Sequence, residues 1–333
     1  MKIPFVKRIC LHHLKKLRYS SGLFAAASRQ VRTGYNKAWL RDNVYEALGL
    51  ENAKDITSLK KTYAALFDIL LKHEKHIEEA IKHKPHQENG YIHARYCPFT
   101  LEKFDEPWGN KQNDAIGAFL FKVADLEKKG ISVIRDHKDM RILRKLVHYL
   151  KTIEYWHDKD NGMWEENMEV HASSVGACVA GLKAIKDIIR VPESLIYKGQ
   201  KALDKLLPRE SETKHVDLAL LSLIYPYDVL TEKQRDMILD NVETFLVRDR
   251  GVIRYIGDQY YSNGKEAEWT FGFPWLARIY KDLDKKRYRH YLMKSLQVMN
   301  WKGEMPELYF GESHRHNCNT PLGWAQALVM EAV

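Results

Sequence analysis

Apolar residues recur at three- and four-residue spacing along nearly the whole chain, which is the pattern of amphipathic helices. Strand-like alternation is nearly absent, and the best short candidate for a strand is GVIRYIG at 251–257. No linker rich in Ser, Gly or Pro divides the chain, so we expect a single all-α architecture. Besides an N-terminal helical arm, the predicted helical segments are 35–50, 56–83, 112–129, 136–157, 171–189, 193–207, 216–225, 232–249, 268–283, 285–300 and 322–333.

The predicted helices are of two kinds. Segments 56–83 and 136–157 carry Lys, Glu and His on one face, which is typical of helices that cover a core. Segments 112–129, 171–189 and 322–333 begin with small and apolar residues on more than one face, which indicates burial on several sides. The two kinds roughly alternate, which predicts a toroid of six hairpins with an inner and an outer layer. An open solenoid is the alternative, but no repeat of about 30–45 residues is visible.

The positive charge of the chain is confined to its N-terminal part. The 333 residues have a net charge of +9, yet residues 1–41 hold ten Lys or Arg and no Asp or Glu. The remaining residues carry 43 basic and 44 acidic side chains, so the body lacks the basic stripe of a nucleic-acid-binding protein. We therefore predict a basic helical arm at residues 1–34 and a separate domain at residues 35–333, with no nucleic-acid partner.

The arm is amphipathic, with apolar residues at helical spacing. These residues are Val6, Cys10, Leu14 and Leu17. Such a helix is expected to dock on its own domain, and an anionic membrane or a partner surface is the alternative. No apolar run approaches the ~18 residues of a transmembrane helix, and the four cysteines form no CxxC pair. We expect a soluble cytoplasmic protein without stable membrane insertion, and the sequence does not predict its oligomeric state.

The loops that enter the buried helices combine aromatic residues with carboxylates and amides. They read FDEPWGNKQND, DKDNGMWEENMEVHASS and GEMPELYFGESHRHNCNT. If the inner helices are parallel, these loops open on one face of the toroid, where such residues would suit a carbohydrate. His314, His316 and Cys318 in the third loop could bind a metal, but we expect histidines that are solvated or bind hydroxyl groups, and no metal or other cofactor.

Two glutamates stand out in these loops. Cleavage of a glycosidic bond needs one carboxylic acid and one carboxylate, and Glu165 follows Trp164 while Glu307 lies in MPELY. Burial beside an indole can raise the pKa of a glutamate, and repulsion between Glu165 and Glu166 would act in the same direction. The alternative is that Glu165 and Glu166 cap the following helix and that Glu307 lies on the surface.

Five blocks of the sequence, taken in order, carry a family resemblance. They are AWLRDNVYEALGL, PWGNKQNDAIGAF, GMWEEN with HASSVGACVAGLKAI, IRYIGD with FPWLARIY, and MPELY with TPLGWAQALV. Together they resemble glycoside hydrolase family fifteen, the inverting glucoamylase-type enzymes. They are also similar to the catalytic-like domains of the phosphorylase kinase α and β subunits, and AWLRDNVYEALGL is especially close to that form. The resemblance implies an (α/α)6 barrel.

The resemblance also implies roles for individual residues. Glu165 would be the general acid and Glu307 the general base, while Arg41 and Asp42 would bind the hydroxyl groups of the terminal glucose. Trp108 would stack near the cleaved bond. The other residues implied to bind substrate are Trp39 and Trp164 in the pocket, Glu166 and Arg254 around the next sugar, and Gln112, Asp114 and Tyr255.

Two departures from the family pattern affect the site. The acid block reads Asn161-Gly162-Met163 before Trp164, and the Gln that usually follows the base is Leu308. The resemblance implies an inverting, exo-acting hydrolase that releases glucose from short α-glucosides, of the maltooligosaccharide, isomaltose or trehalose type. The alternative function is a non-catalytic sugar-sensing module of the phosphorylase kinase type.

Overall fold

A computed structural model describes residues 3–106 and 108–333. Met1 and Lys2 of the predicted arm, and Pro107 of the second sequence block, lie outside the described residues. The α-helices are α1 (Ile3–Leu17), α2 (Leu40–Asn52), α3 (Ile56–Lys72), α4 (Glu74–Lys82), α5 (Asn113–Lys128), α6 (His137–Ile153), α7 (Ala172–Ile185), α8 (Glu193–Leu206), α9 (Glu232–Phe245), α10 (Gly272–Tyr280), α11 (Lys285–Gln297) and α12 (Gly323–Ala332). Two 3₁₀ helices are Glu88–Gly90 and Leu218–Leu223.

The helices form two concentric rings. The inner ring consists of α2, α5, α7, the 3₁₀ helix Leu218–Leu223, α10 and α12, and it closes because α12 packs against α2. The outer ring consists of α1, α3 with α4, α6, α8, α9 and α11. Outer and inner helices alternate along the chain, so the molecule is a barrel of six helical hairpins. The predicted all-α fold, an (α/α)6 barrel, is confirmed.

The difference between the rings follows from the composition of their helices. The inner helix α7 (ASSVGACVAGLKAI) is buried along almost its whole length, and its small residues allow close approach to α5. A Cβ at Gly117 of α5 would lie 2.3 Å from the carbonyl carbon of Ala177, so only glycine fits there. The outer helix α6 buries one apolar stripe and exposes most of its basic residues.

Short antiparallel strand pairs join the loops at one end of the barrel. Strand β1 (Ala38–Trp39) pairs with β2 (Arg95–Tyr96), and β3 (Glu268–Trp269) pairs with β4 (Leu308–Tyr309). Strands β1 and β4 lead toward the inner helices α2 and α12. The first ladder contains Trp39 and ends just before Arg41, and the second begins just after Glu307, so both fix the backbone next to residues that the sequence assigns to the site.

Three local predictions were wrong. Segment 56–83 is two helices, because His73 leaves the helical conformation and its imidazole contacts the carbonyl oxygen of Leu101 at 2.9 Å. The core of 216–225 is a 3₁₀ helix. Asp217 is its N-cap residue, and the Asp217 side chain accepts a hydrogen bond from the amide of Ala219. Residues 251–257 form isolated bridges rather than a strand. In the predicted arm at residues 1–34 the helix α1 ends at Leu17, whereas the remaining helices begin and end within five residues of the predicted limits.

Helix α1 packs against α12 and α2. Its apolar stripe is almost completely buried, and its members are Val6, Cys10, Leu14 and Leu17. The predicted boundary between an arm and a catalytic domain at residue 34 stays a prediction. Among the described residues, no helix combines the length and the apolar character that crossing a membrane requires.

Candidate active site

A pocket lies at the end of the barrel where the inner helices begin. Its walls come from the segments before α2, α7, α10 and α12. Of the residues that the sequence assigns to the site, the pocket is lined by Trp39, Arg41, Asp42, Trp164, Glu165 and Arg254. Tyr35, Trp269, Phe271 and Trp324 are further lining residues.

Arg41 lies in the first turn of α2 and is the centre of a buried polar cluster. One guanidinium nitrogen, Nη1, donates to Gln112 Oε1 at 2.9 Å and to Asp114 Oδ2 at 3.2 Å. The carboxylate of Asp42 lies 3.8 Å from Nη2. Burial raises the pKa of Asp42 to about 6, against the opposing effect of the Arg41 charge. The pKa of Asp114 is also raised by its burial.

The backbone before Arg41 is held by the side chain of Asn43. Its Nδ2 donates to the carbonyl oxygen of Trp39 at 2.8 Å, and its Oδ1 accepts from the amide of Phe24 at 2.8 Å. The amide of Leu40 in turn donates to the carbonyl oxygen of Ala94. These bonds fix the direction in which the first turn of α2 presents its side chains to the pocket.

Glu165 lies on a tight turn before α7, with a positive φ of 63° that a non-glycine residue seldom adopts. The neighbouring loop approaches it closely, and a Cβ at Gly109 would lie 2.4 Å from the carbonyl oxygen of Glu165. The Glu165 carboxylate accepts hydrogen bonds from Gln112 Nε2 at 2.9 Å, from Arg41 Nη2 at 3.5 Å, and from the indole of Trp108. Its side chain is 14% exposed, so one face of the carboxylate remains accessible.

Glu166 points to a different set of partners. It accepts hydrogen bonds from Arg254 Nη2 and the Tyr255 hydroxyl, each at 2.7 Å, and from Lys214 Nζ at 2.9 Å. Burial alone would raise the pKa of Glu166, but the charges of Arg254 and Lys214 outweigh it and the pKa is lowered. Repulsion was expected to raise the pKa of one glutamate of the pair, and Glu166 does not show this rise.

Glu307 precedes β4 and is completely buried. Its amide donates to the carbonyl oxygen of Asn319, and its carboxylate accepts from Asn319 Nδ2 at 2.8 Å and from the side chain of Asn317. Burial raises the pKa of Glu307, although the two amides favour the charged form. The Tyr260 hydroxyl lies 3.4 Å from the carboxylate and 3.0 Å from the hydroxyl of Tyr35, a pocket residue.

Aromatic rings line much of the pocket wall, and some of their polar groups lack partners. Phe271 stacks on Trp324 with ring centroids 5.2 Å apart, and Trp164 donates its indole N–H to Asp217 at 2.8 Å. The indole N–H groups of Trp39, Trp269 and Trp324 are buried and have no hydrogen-bond partner among the described residues. Three unpaired donors in one pocket suit a ligand that is rich in acceptor oxygens.

The other predicted site residues lie just outside this pocket. Trp108 is 37% exposed and, with Glu166, lines a second cavity. Glu165 lines both cavities, so it stands in the wall between them. Gln112 and Asp114 contact the site through Arg41, and Tyr255 contacts it through Glu166.

Several residues of the site were not predicted from the sequence. The amides that hold Glu307 were visible in the loop HRHNCNT, and Trp269 belongs to the aromatic stretch EWTF. Tyr35 precedes the first sequence block by three residues, and Lys214 has no distinguishing sequence signal. The start of α7 is held by a residue from a later loop, since the Ser173 amide donates to the buried carboxylate of Glu210 at 3.0 Å.

His314 and His316 do not form a metal site with their neighbours. His314 contacts Arg250, and His316 Nδ1 lies 2.9 Å from the carbonyl oxygen of Asn317. In the part of the chain that the structure describes, no three His, Cys, Asp or Glu side chains are placed to hold one metal ion.

Comparison with known proteins identifies the family. The family model described as Glycosyl hydrolases family 15 matches residues 7–331, so the chain belongs to this family. The solved structure of a wild-type glycosidase covers 99% of this chain and 96% of its own, with a TM-score of 0.85 and 17% identity. The glucoamylase from Saccharomycopsis fibuligera covers 99% and 94%, with a TM-score of 0.69 and 16% identity. At these identities the two structures show the fold alone.

Curated relatives of known name are similar over most of this chain. The probable phosphorylase b kinase regulatory subunit alpha of Caenorhabditis elegans is 26% identical over 82% of the chain. The liver isoform of the corresponding subunit of Mus musculus is 28% identical over 79% of the chain. The matched regions are 27% and 24% of those relatives, so the chain spans about a quarter of their length.

Proposed function

We propose that this chain is an inverting, exo-acting glycoside hydrolase that releases glucose from short α-glucosides. In this proposal the terminal glucose occupies the aromatic pocket, where Arg41 and Asp42 bind its hydroxyl groups. Glu165 gives a proton to the glycosidic oxygen, and Glu307 takes a proton from the water that attacks the anomeric carbon. The departing sugar leaves through the second cavity, past Trp108.

The observation that carries the proposal is the pocket itself. Its buried unpaired donors, the indole N–H groups of Trp39, Trp269 and Trp324, match the acceptor oxygens of a sugar. The aromatic faces provide stacking surfaces for the CH groups of a pyranose ring. A buried charge such as Arg41 makes strong hydrogen bonds to hydroxyl groups because water is excluded.

The environments of the two glutamates support their different roles. Glu165 lies in the wall between the two cavities, where the bond between two sugars would cross. Glu307 is held by Asn317 and Asn319, and burial raises its pKa toward the pH range in which a general base is effective. Its link to the pocket runs through the hydroxyls of Tyr260 and Tyr35.

A second candidate function is a sugar-binding regulatory module without catalysis. Glu165 accepts three hydrogen bonds from the protein, one of them from Arg41, so both of its carboxyl oxygens already have partners. A general acid must give a proton to the glycosidic oxygen, whereas a residue that only binds sugar need not. The curated relatives are named as regulatory subunits, which agrees with this alternative.

A screen of α-linked disaccharides separates the two functions. Maltose, isomaltose and trehalose are incubated with the chain, released glucose is measured, and binding is followed in parallel by calorimetry. The hydrolase releases glucose from at least one of them. Binding without release from any disaccharide would favour the regulatory module, and neither binding nor release would remove both functions.

A further inference from the structure

A cavity lined by basic side chains lies on the outside of the barrel, between α6 and the start of α8. The volume of this cavity is about 320 Å³. Four basic side chains line it, together with a floor that consists of Val147, Pro192 and Leu195. The basic residues are Arg144, His148 and Lys151 of α6 and Arg190 of the α7–α8 loop. No carboxylate is among the described residues that line this cavity.

The basic residues of this cavity have no acidic partner among the described residues. Elsewhere on α6, Arg141 donates to Glu74 at 2.7 Å, and Lys145 contacts Glu74 and Glu78. In contrast, none of the four cavity residues makes a side-chain hydrogen bond or an ion pair with any described residue. The nearby Glu193 is turned toward Lys186, 3.4 Å away.

The spacing on α6 brings like charges onto one helical face. Arg144 and Lys151 are seven residues apart, with His148 between them, so the three side chains share a face of α6. The cations of Arg144 and Lys151 repel each other, and Arg190 adds a further charge from a different element. A bound anion would relieve this repulsion, and an arginine can bind a phosphate group with two parallel hydrogen bonds.

We propose that this cavity binds a small organic phosphate. The phosphate group contacts Arg144 and Arg190, Lys151 adds a point charge, and the carbon skeleton packs on Val147, Pro192 and Leu195. The apolar floor favours a phosphomonoester with an organic part over inorganic phosphate. The volume is that of a site for a small molecule, which favours such a ligand over an extended acidic protein surface.

Phenyl phosphate is a suitable probe because it carries a phosphate and an apolar ring but no sugar for the barrel pocket. Calorimetric titrations at constant ionic strength compare it with inorganic phosphate and phenol. We expect phenyl phosphate to bind more tightly than either. The double variant Arg144→Gln/Arg190→Gln should lower its affinity by at least about tenfold, because two charge-assisted hydrogen bonds are lost.

A matched control removes the same net charge elsewhere. Lys60 and Lys201 are exposed, and neither makes a side-chain hydrogen bond with a described residue, so Lys60→Gln/Lys201→Gln should leave the affinity unchanged. Circular dichroism checks that both double variants fold. The proposal is overturned if the native chain does not bind phenyl phosphate, or if the control loses affinity equally. Binding of polyglutamate without phenyl phosphate would indicate an acidic protein partner instead and would also overturn it.

Discussion

Glu165 and Glu166 are neighbours in sequence, but their carboxyl groups have different surroundings. Glu166 is compensated by Arg254 and Lys214, which lower its pKa. Glu165 lies between two cavities, and its position depends on a turn with positive φ and on the small size of Gly109. In the proposed reaction, therefore, Glu166 acts as a fixed anion while Glu165 contacts the bond that is cleaved.

Replacing either proposed catalytic carboxyl group should abolish turnover while preserving the fold. We expect Glu165→Gln and Glu307→Gln each to lower kcat by about 10²–10⁴-fold, because an amide can act neither as general acid nor as general base. Glucose release and circular dichroism measure the two effects. The matched control is Glu232→Gln on the outer helix α9. Glu232 is exposed, and its replacement should leave kcat unchanged. Full activity in either test variant would show that the wrong carboxylate has been assigned.

Arg41 should contribute to both binding and catalysis. Its guanidinium contacts Gln112, Asp114 and Glu165, so Arg41→Ala should raise KM and lower kcat together. Loss of a buried cation can also destabilise the fold, so the milder Arg41→Lys is measured beside it, with thermal unfolding for both. Arg41→Lys retains the charge but not the planar fork and should show a smaller effect in the same direction. Unchanged kinetics in folded Arg41→Ala would remove this residue from the proposed pocket.

Motifs predicted only part of the site, because the rest depends on contacts between distant segments. Arg41, Glu165 and Arg254 line the pocket and also stand in the quoted sequence blocks. Tyr35 and Tyr260 come from loops 225 residues apart, and only folding places their hydroxyls 3.0 Å from each other. Lys214 faces Glu166 for the same reason. A single lysine or tyrosine in a loop carries no pattern from which such a partner can be read.

At the scale of the elements, the loop that carries Glu165 is tied to two inner helices. Asp160 Oδ2 accepts from the amide of Asn113 at the start of α5, at 2.8 Å. Its Oδ1 lies 2.9 Å from Nδ1 of His171, the residue before α7. Helix α5 begins directly after Gln112, which donates a hydrogen bond to Glu165. The buried pair of Asp160 and His171 therefore connects the start of α5 with the start of α7, and both starts lie at the site.

The Asp160–His171 pair should make stability depend on pH. Burial alone would lower the pKa of His171, but the hydrogen bond and charge of Asp160 outweigh it and raise the pKa from 6.5 to about 9. The folded state therefore binds this proton more tightly, so the stabilisation is present below about pH 6.5 and is lost as the pH rises through 9. The pKa of Glu210, which burial raises to about 8, acts in the same direction because its proton is also held more tightly in the fold.

Urea unfolding at pH 6.5 and pH 9 measures this effect. The shift of His171 corresponds to a loss of about 3 kcal/mol of unfolding free energy between these pH values. In the His171→Gln chain we expect the difference in unfolding free energy between the two pH values to be smaller by about this amount. The exposed His86→Gln serves as the matched control and should keep it. An equal pH dependence in native and His171→Gln chains would contradict the role given to this pair.

Helix type and position were predictable wherever the hydrophobic pattern alone decides the structure. The apolar stripe of α1 and the small-residue faces of α7 are local properties of the sequence. The break at His73 was not predictable, because it is accompanied by a contact with the distant carbonyl of Leu101. Residues 251–257 have the alternation of a strand, but they meet Trp269 and Asp217 only at single bridges.

At the scale of the whole molecule, the closed ring determines which loops face one another. Six hairpins follow one another around the barrel, and α12 closes on α2. The turn with Glu165 precedes the inner helix of the third hairpin, and Glu307 precedes that of the sixth. The two glutamates therefore lie on opposite sides of the ring. Glu165 lines the pocket, whereas Glu307 is buried and is linked to the pocket through Tyr260 and Tyr35. Alternation of buried and exposed helices predicted this ring, whereas the pocket shape depends on loops that the pattern does not describe.

The opposite placement of the two glutamates predicts the stereochemistry of the reaction. With the acid on one side of the sugar and the base on the other, a water fits between Glu307 and the anomeric carbon when the carboxyl groups are ~6.5–9.5 Å apart. Hydrolysis of an α-glucoside should then release β-glucose first, which proton NMR detects before mutarotation. Trehalose, maltose and isomaltose give the same expectation, so the disaccharide that the screen selects can be used. Initial release of α-glucose would indicate a covalent intermediate and a separation of ~5–5.5 Å, and it would exclude the inverting mechanism.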